Sequence, residues 1–411
     1  MPSPRFIRCT AAALFASTAG ASGQLAAPEL RATWLTTTAS DDLSVSQLPT
    51  TFGRLRDAGL NTVYVESLKN GYTNFDSPTL DALLGGFEGA GTNPLIGGRD
   101  LLAESSAAAA DEGLVNIAWM EYGLAAQFGS AALAPRGLGR VAFQNGWLLE
   151  DQNGNLTNSS NGFSWMNPAI PEVRQLIVDL AVEAASVPGV HGVQFDDRLA
   201  WPSQFGFDQT TLDLYQAETG FGAPTSTSDA FFTAWRSSKV DLLAREISQA
   251  VRDAQPDDVV SLTPSVFPFS FNQYLADWTD WVDQGLFDEY VPQVYRLTSS
   301  DFDRDWATQL ASVSDDSRLG AGLRILGSGA DTPLADILQM LDQLESDNAY
   351  GHSFWYSDGL TDAGGYLDAI ASYYDIESNG FAPNPLVTIP EPTTLALAAV
   401  GGFVLLRRRN Q

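Results

Sequence analysis

Short apolar runs alternate along this chain with stretches in which apolar residues recur at helical spacing, the pattern of a parallel sheet covered by helices. Eight runs are predicted as strands: Arg31–Thr37, Thr62–Ser67, Val115–Tyr122, Gly192–Asp197, Val259–Ser265, Tyr290–Tyr295, Leu319–Ile325 and His352–Tyr356. Between them, Pro171–Ser186 places Val173, Leu176, Ile177 and Leu180 on one helical face, and Leu334–Glu345 does the same with Leu334, Ile337, Leu338 and Leu341. Asn167 and Pro168 precede the first of these helices as a start signal. Eight strands alternating with helices predict an α/β fold, a (β/α)8 TIM-type barrel.

The fourth run, GVQFDD at Gly192–Asp197, ends in two adjacent carboxylates. Side chains alternate across a strand, so Val193, Phe195 and Asp197 share one face while Gln194 and Asp196 share the other. The polar face is expected to point into the barrel, with Asp196 at the catalytic mouth and Asp197 supporting the loop with Arg198. Two connections are longer than packing requires, Asn70–Asn93 after the second strand and Gly123–Asn167 after the third, and they are expected to wall a substrate groove.

Composition narrows the partners. A formal charge of -28 over 411 residues disfavours nucleic acid and anionic lipid, and suits a neutral substrate such as a glycan. Both ends carry processing patterns. Arg5 and Arg8 precede an apolar run at Ala11–Ala16 and small residues up to Gly23, so 1–23 is expected to be a signal peptide, with the single cysteine, Cys9, inside it. Residues 29–380 are expected to form the barrel and 381–388 a linker. From 389 to 411 a Pro390–Glu391–Pro392 triplet, an apolar run at Leu395–Leu406 and Arg407–Arg409 resemble a PEP-CTERM sorting tail. That resemblance implies export, transient membrane association through the tail, and an exosortase-like sorting partner at the cell envelope.

The residue inventory then limits the chemistry. Only His191 and His352 occur, each near the start of a predicted strand and away from the mouth, which disfavours a serine triad or a histidine-rich zinc site. No Walker segment or GxGxxG follows a strand, and neither cofactor nor metal is expected, although clustered Asp residues leave a hard cation open. Carboxylates remain. Glycosidic hydrolysis needs one carboxyl to protonate the leaving oxygen and a second as nucleophile or base. Glu66, Glu121, Asp196, Asp197 and Asp358 follow predicted strands, with Asp196 and Glu121 the expected catalytic pair. Gln194, Trp119, Tyr122, Trp201, Tyr295, Trp355 and Tyr356 gather at the same strand ends, where aromatic faces stack on sugar rings and amides bind hydroxyls.

An ordered set of segments carries a wider resemblance. RATWLTTT at Arg31–Thr38, LNTVYVESLKNGYT at Leu60–Thr73, AWMEYG at Ala118–Gly123, WMNPAIPEVRQLIVDL at Trp165–Leu180, GVQFDDRLAWP at Gly192–Pro202, SLTPS at Ser261–Ser265 and VPQVYR at Val291–Arg296 together resemble the glycosyl-hydrolase-like family 10 barrel proteins. The resemblance implies a TIM-type barrel acting on glycans, peptidoglycan strands among them. By position Asp196 matches the family's inward acid on strand four, and Gln293 and Tyr295 match its strand-six pair. Gln293, Tyr295 and Asn167 are then expected to bind sugar hydroxyls. Glu66 and Lys69 stand where similar proteins are expected to carry less charged residues. The resulting expectation is an exported glycosidase, with a non-catalytic glycan-binding or envelope scaffold protein as the alternative.

Overall fold

A computed structural model describes residues 26–37, 46–85, 91–327, 329–361 and 364–389. The expected signal peptide and, apart from Ile389, the sorting tail lie outside the described residues. Eight parallel strands form one sheet: β1 (Leu30–Leu35), β2 (Thr62–Glu66), β3 (Val115–Met120), β4 (Gly192–Asp196), β5 (Val259–Thr263), β6 (Glu289–Tyr290), β7 (Ala321–Arg324) and β8 (Gly351–Trp355). Neighbours run from β6 through β5, β4, β3, β2, β1 and β8 to β7. A bridge from Tyr290 to Leu319, with Gly320 N donating to Tyr290 O at 2.8 Å, joins β6 to the entry of β7 and closes the circle. The chain therefore has the (β/α)8 TIM-type barrel that its hydrophobic pattern predicts.

Period two along each strand sorts the side chains. Leu30, Ala32, Trp34, Tyr64, Val115, Ile117, Trp119, Val259 and Val291 fill the barrel interior, whereas Val63, Val65, Val193 and Phe195 pack outward under the helices. Gly192 opens β4 at φ 149°, and a Cβ there would lie 2.1 Å from Val259 O, so only glycine lets β4 run this close to β5. β6 is shorter than expected. Pro292 has no N–H to give a ladder, so Gln293 and Tyr295 follow the strand, although Gln293 N still donates to Pro264 O at 2.9 Å and stays beside β5.

The long connections fold into small structures of their own. Leu68–Lys69 pairs antiparallel with Tyr72–Thr73, and Ala125–Phe128 pairs with Phe163–Trp165. At the opposite end of the barrel, 381–388, the expected linker, packs against the barrel base. Asn61 Nδ2 donates to Ala382 O at 2.9 Å, Glu29 N donates to Pro383 O at 3.2 Å, and Asn384 Nδ2 donates to Thr62 Oγ1 at 2.8 Å. Leu386, Val387 and Ile389 then pack on the apolar floor of the barrel.

Candidate active site

The C-terminal ends of β2, β3 and β4 bring five ionisable side chains into one line. Glu66 ends β2, and the tight hairpin after it turns Lys69 back so that Nζ lies 2.5 Å from Glu66 Oε1. Nζ also lies 3.6 Å from Glu121 Oε2, just beyond β3. On the other side, Glu121 Oε1 is 3.6 Å from Arg198 Nη1, which sits 2.5 Å from Asp196 Oδ2 at the end of β4. Charges thus alternate across the mouth: Glu66, Lys69, Glu121, Arg198, Asp196.

Each outer carboxylate holds its cation closely and the central one does not. Glu66 accepts from Thr37 N at 2.7 Å, from Thr36 Oγ1 at 3.1 Å and from the Thr37 hydroxyl. Burial pushes Glu66 up, but the charge of Lys69 and hydrogen bonding with Glu121, Lys69 and Thr37 outweigh it and leave the carboxyl below its usual value. Asp196 accepts from Arg198 N at 2.9 Å as well as from the guanidinium. Burial still pushes its carboxyl well above the usual range, with Arg198 acting against the rise. Glu121 meets both cations only at 3.6 Å, so burial, followed by the charge of Glu66, pushes it up to about 8. At neutral pH it holds a proton.

Aromatic rings floor the mouth. Trp355 lies 5.7 Å from Trp119, 5.9 Å from Tyr295 and 6.1 Å from Trp34, measured between ring centroids. Trp34 Nε1 donates to Gln194 Oε1 at 2.7 Å, and Gln194 Nε2 donates to Ser261 Oγ at 2.8 Å. Among the described residues no group of three or more His, Cys, Asp or Glu could hold a metal ion.

Comparison with known proteins fits this geometry. Residues 29–320, most of the chain, match the glycosyl hydrolase-like 10 family. The chain belongs to that family. Residues 388–410 match the PEP-CTERM protein-sorting motif, which marks the protein for export to the envelope. Glycosyl hydrolase DigH of Escherichia coli (strain K12) is 29% identical over 147 residues, which cover 32% of this chain and 31% of that relative. The match thus spans under a third of the curated relative. Among solved structures, the PgaB (BpsB) glycoside hydrolase domain from Bordetella bronchiseptica superposes with a TM-score of 0.62 at 12% identity, over 84% of this chain and 99% of that one. Alpha-L-fucosidase isoenzyme 2 from Paenibacillus thiaminolyticus gives 0.62 at 14% identity, over 85% and 49%. At such identities these two speak for the fold.

Within this glycosyl hydrolase-like barrel, the residues singled out from sequence separate into two sets. Glu121, Asp196, Arg198, Trp119, Tyr122, Tyr295, Gln293, Trp355 and Tyr356 lie at or just below the mouth, with Gln293, Tyr295, Trp355 and Tyr356 part-exposed. Others are turned away from it. Asn167, expected to bind hydroxyls, is fully buried, with Nδ2 donating to Thr211 Oγ1 at 2.8 Å and Oδ1 accepting from Ala169 N at 2.9 Å. It ties a loop to the start of the Gln209–Thr219 helix. Trp201 is buried against Trp235 with Nε1 donating to Phe205 O, and Gln194 is buried with both ends of its amide occupied. Asp197 does pair with Arg198, at 3.6 Å and behind Asp196 at 2.5 Å, and it also accepts from Ser265 Oγ at 3.2 Å. Asp358 sits buried in the short Ser357–Thr361 helix. Lys69 and Glu66 join the line without having been chosen as site residues. Their signal was an acid three positions before a lysine at a strand end.

Proposed function

We propose that this protein hydrolyses O-glycosidic bonds in an envelope or extracellular glycan, a polysaccharide or a peptidoglycan strand, with Glu121 as proton donor and Asp196 as its partner. The observation that carries the reading is Glu121 buried beside the charge of Glu66, with Lys69 and Arg198 no nearer than 3.6 Å and each closer to another carboxylate, so that the two cations do not cancel the rise and the carboxyl keeps its proton at neutral pH. A general acid needs that state when the substrate arrives. Glu121 protonates the glycosidic oxygen, the bond to the anomeric carbon breaks, and water completes the reaction with a new reducing end. Glu121 and Asp196 contact the same Arg198 nitrogen, so their nearest oxygens are no further apart than 3.6 and 2.5 Å laid end to end. Asp196 then acts as nucleophile or as base, and the first anomer formed decides between them.

Release of reducing ends from purified peptidoglycan strands and neutral polysaccharides tests the reading, with proton NMR reporting the first anomer formed. Glu121→Gln and Asp196→Asn are each expected to lose at least a thousandfold in kcat. Turnover by Asp196→Asn at the parent rate would rule that residue out. A second reading, a glycan-binding or scaffold barrel without turnover, is favoured by the close pairing of Asp196, whose side chain is 1% exposed. Binding measured by calorimetry, with no product after prolonged incubation, would establish it.

A further inference from the structure

Large aromatic side chains left in water are ordinary when scattered singly and informative when joined. Phe128 is 54% exposed on the hairpin after β3, and Phe269 is 49% exposed in the connection after β5. They are the two ends of one row. Phe128 lies 5.5 Å from Phe163, Phe163 lies 6.3 Å from Trp165, Trp165 lies 6.0 Å from Tyr274, and Tyr274 lies 5.8 Å from Phe269. Trp165 is buried and props the row from below, while Phe163 and Tyr274 are half-buried.

The row passes beside the charged line. The Arg198 guanidinium stands 4.9 Å from the Phe163 ring and 5.5 Å from the Tyr122 ring, and Asp197 acts on Tyr274 from the same side. Apart from Arg198, Asp197 and, at the Phe128 end, Arg136, its polar neighbours are amides and hydroxyls. Asn161 Nδ2 donates to Tyr274 Oη at 3.1 Å, and Ser159 Oγ donates to Gln204 Oε1 at 3.2 Å. Apolar faces for C–H surfaces, with neutral amides and hydroxyls at the edge, suit a polymer of uncharged sugars better than an ionic partner.

We infer that this aromatic row is a glycan-binding shelf that holds a neutral polysaccharide chain on both sides of the cleavage point, so that the protein cuts within chains rather than from their ends. The shelf rests on the proposed function for its substrate class and on its own rings for its geometry. Arg198 stands beside Phe163, the second ring from the Phe128 end of the contact series, so a chain lying on the row has rings to either side of the acids.

The test uses the full chain with Phe128→Ala and Phe269→Ala together, both at exposed positions. Affinity electrophoresis in hydroxyethylcellulose and in galactomannan, two uncharged polymers, reads binding in the Glu121→Gln background. The double variant is expected to bind about tenfold more weakly than its parent. In the active chain KM for polymer is expected to rise by the same factor with kcat unchanged, while cleavage of a short oligosaccharide keeps its parent KM. Equal binding by parent and double variant, or a parent that binds neither polymer, would overturn the shelf. Binding that is lost in the double variant while no chain releases product would uphold the shelf and remove the catalytic reading.

Discussion

Glu121 is governed by groups it does not hold tightly, and its chemistry is therefore sensitive to which neighbour is removed. Glu66 raises the Glu121 carboxyl by its charge, and Lys69 and Arg198 lower it. Glu66→Gln removes the repulsion and frees the Lys69 ammonium to move toward Glu121, so the proton leaves at lower pH. The alkaline limb of kcat/KM, expected near pH 8 in the parent, should fall by about one unit or more. Lys69→Met removes a cation and should move the same limb upward. Rates measured between about pH 5 and 10 decide the matter, because two changes in one ion pair acting in opposite directions cannot be a general loss of fold. His352 supplies a stability test of a different kind. It is buried beside the floor, with Nε2 and Tyr374 Oη 2.6 Å apart, and burial followed by the charge of Arg31 pushes it down to about 3. The folded protein therefore keeps it neutral while the unfolded chain protonates below about pH 6.5. Its stabilisation is complete above that pH and declines as pH falls toward 3, by about 2 kcal/mol at pH 5. His352→Gln should flatten this slope in urea denaturation measured from neutral to acidic pH.

At the scale of elements, the strands were legible because period-two patterning survives wherever one face is interior and the other lies under helices. GVQFDD shows this, with Gln194 turned inward and Phe195 outward. What sequence could not display was partnership across long separations. Asn167 reads as an available amide until Thr211 and Asp208 are brought beside it, and Trp201 reads as a platform until Trp235 covers it. Lys69 was hidden for the same reason, since the hairpin that folds it back is two residues on each side. Residues 381–388 have the composition of a linker, a Pro- and Asn-containing stretch without periodicity, and their packing on the barrel, through Asn61 and Asn384 at its base, is another such long-range partnership. Chains ending after Gly380 and after Ile389 should therefore differ. The shorter one uncovers Leu30, Val115 and Val259, and is expected to lose about 2 to 4 kcal/mol in chemical denaturation. Equal stability of the two would show that the packed segment contributes nothing.

At the scale of the molecule, the barrel divides its duties between two ends. The upper end holds the charged line, the aromatic floor of the mouth and the hairpins that rise around it. The lower end receives both extremities of the described chain, with Ala26 N donating to Phe381 O and Glu29 N to Pro383 O. A protein with a charge of -28 has little electrostatic attraction to an anionic surface, so a position beside a membrane would depend on its tail rather than on its body. The packed segment that ends at Ile389 gives that dependence a direction. The sorting motif begins on the underside of the barrel, at the end opposite the opening and its acids, as the foot of a cup lies opposite its rim.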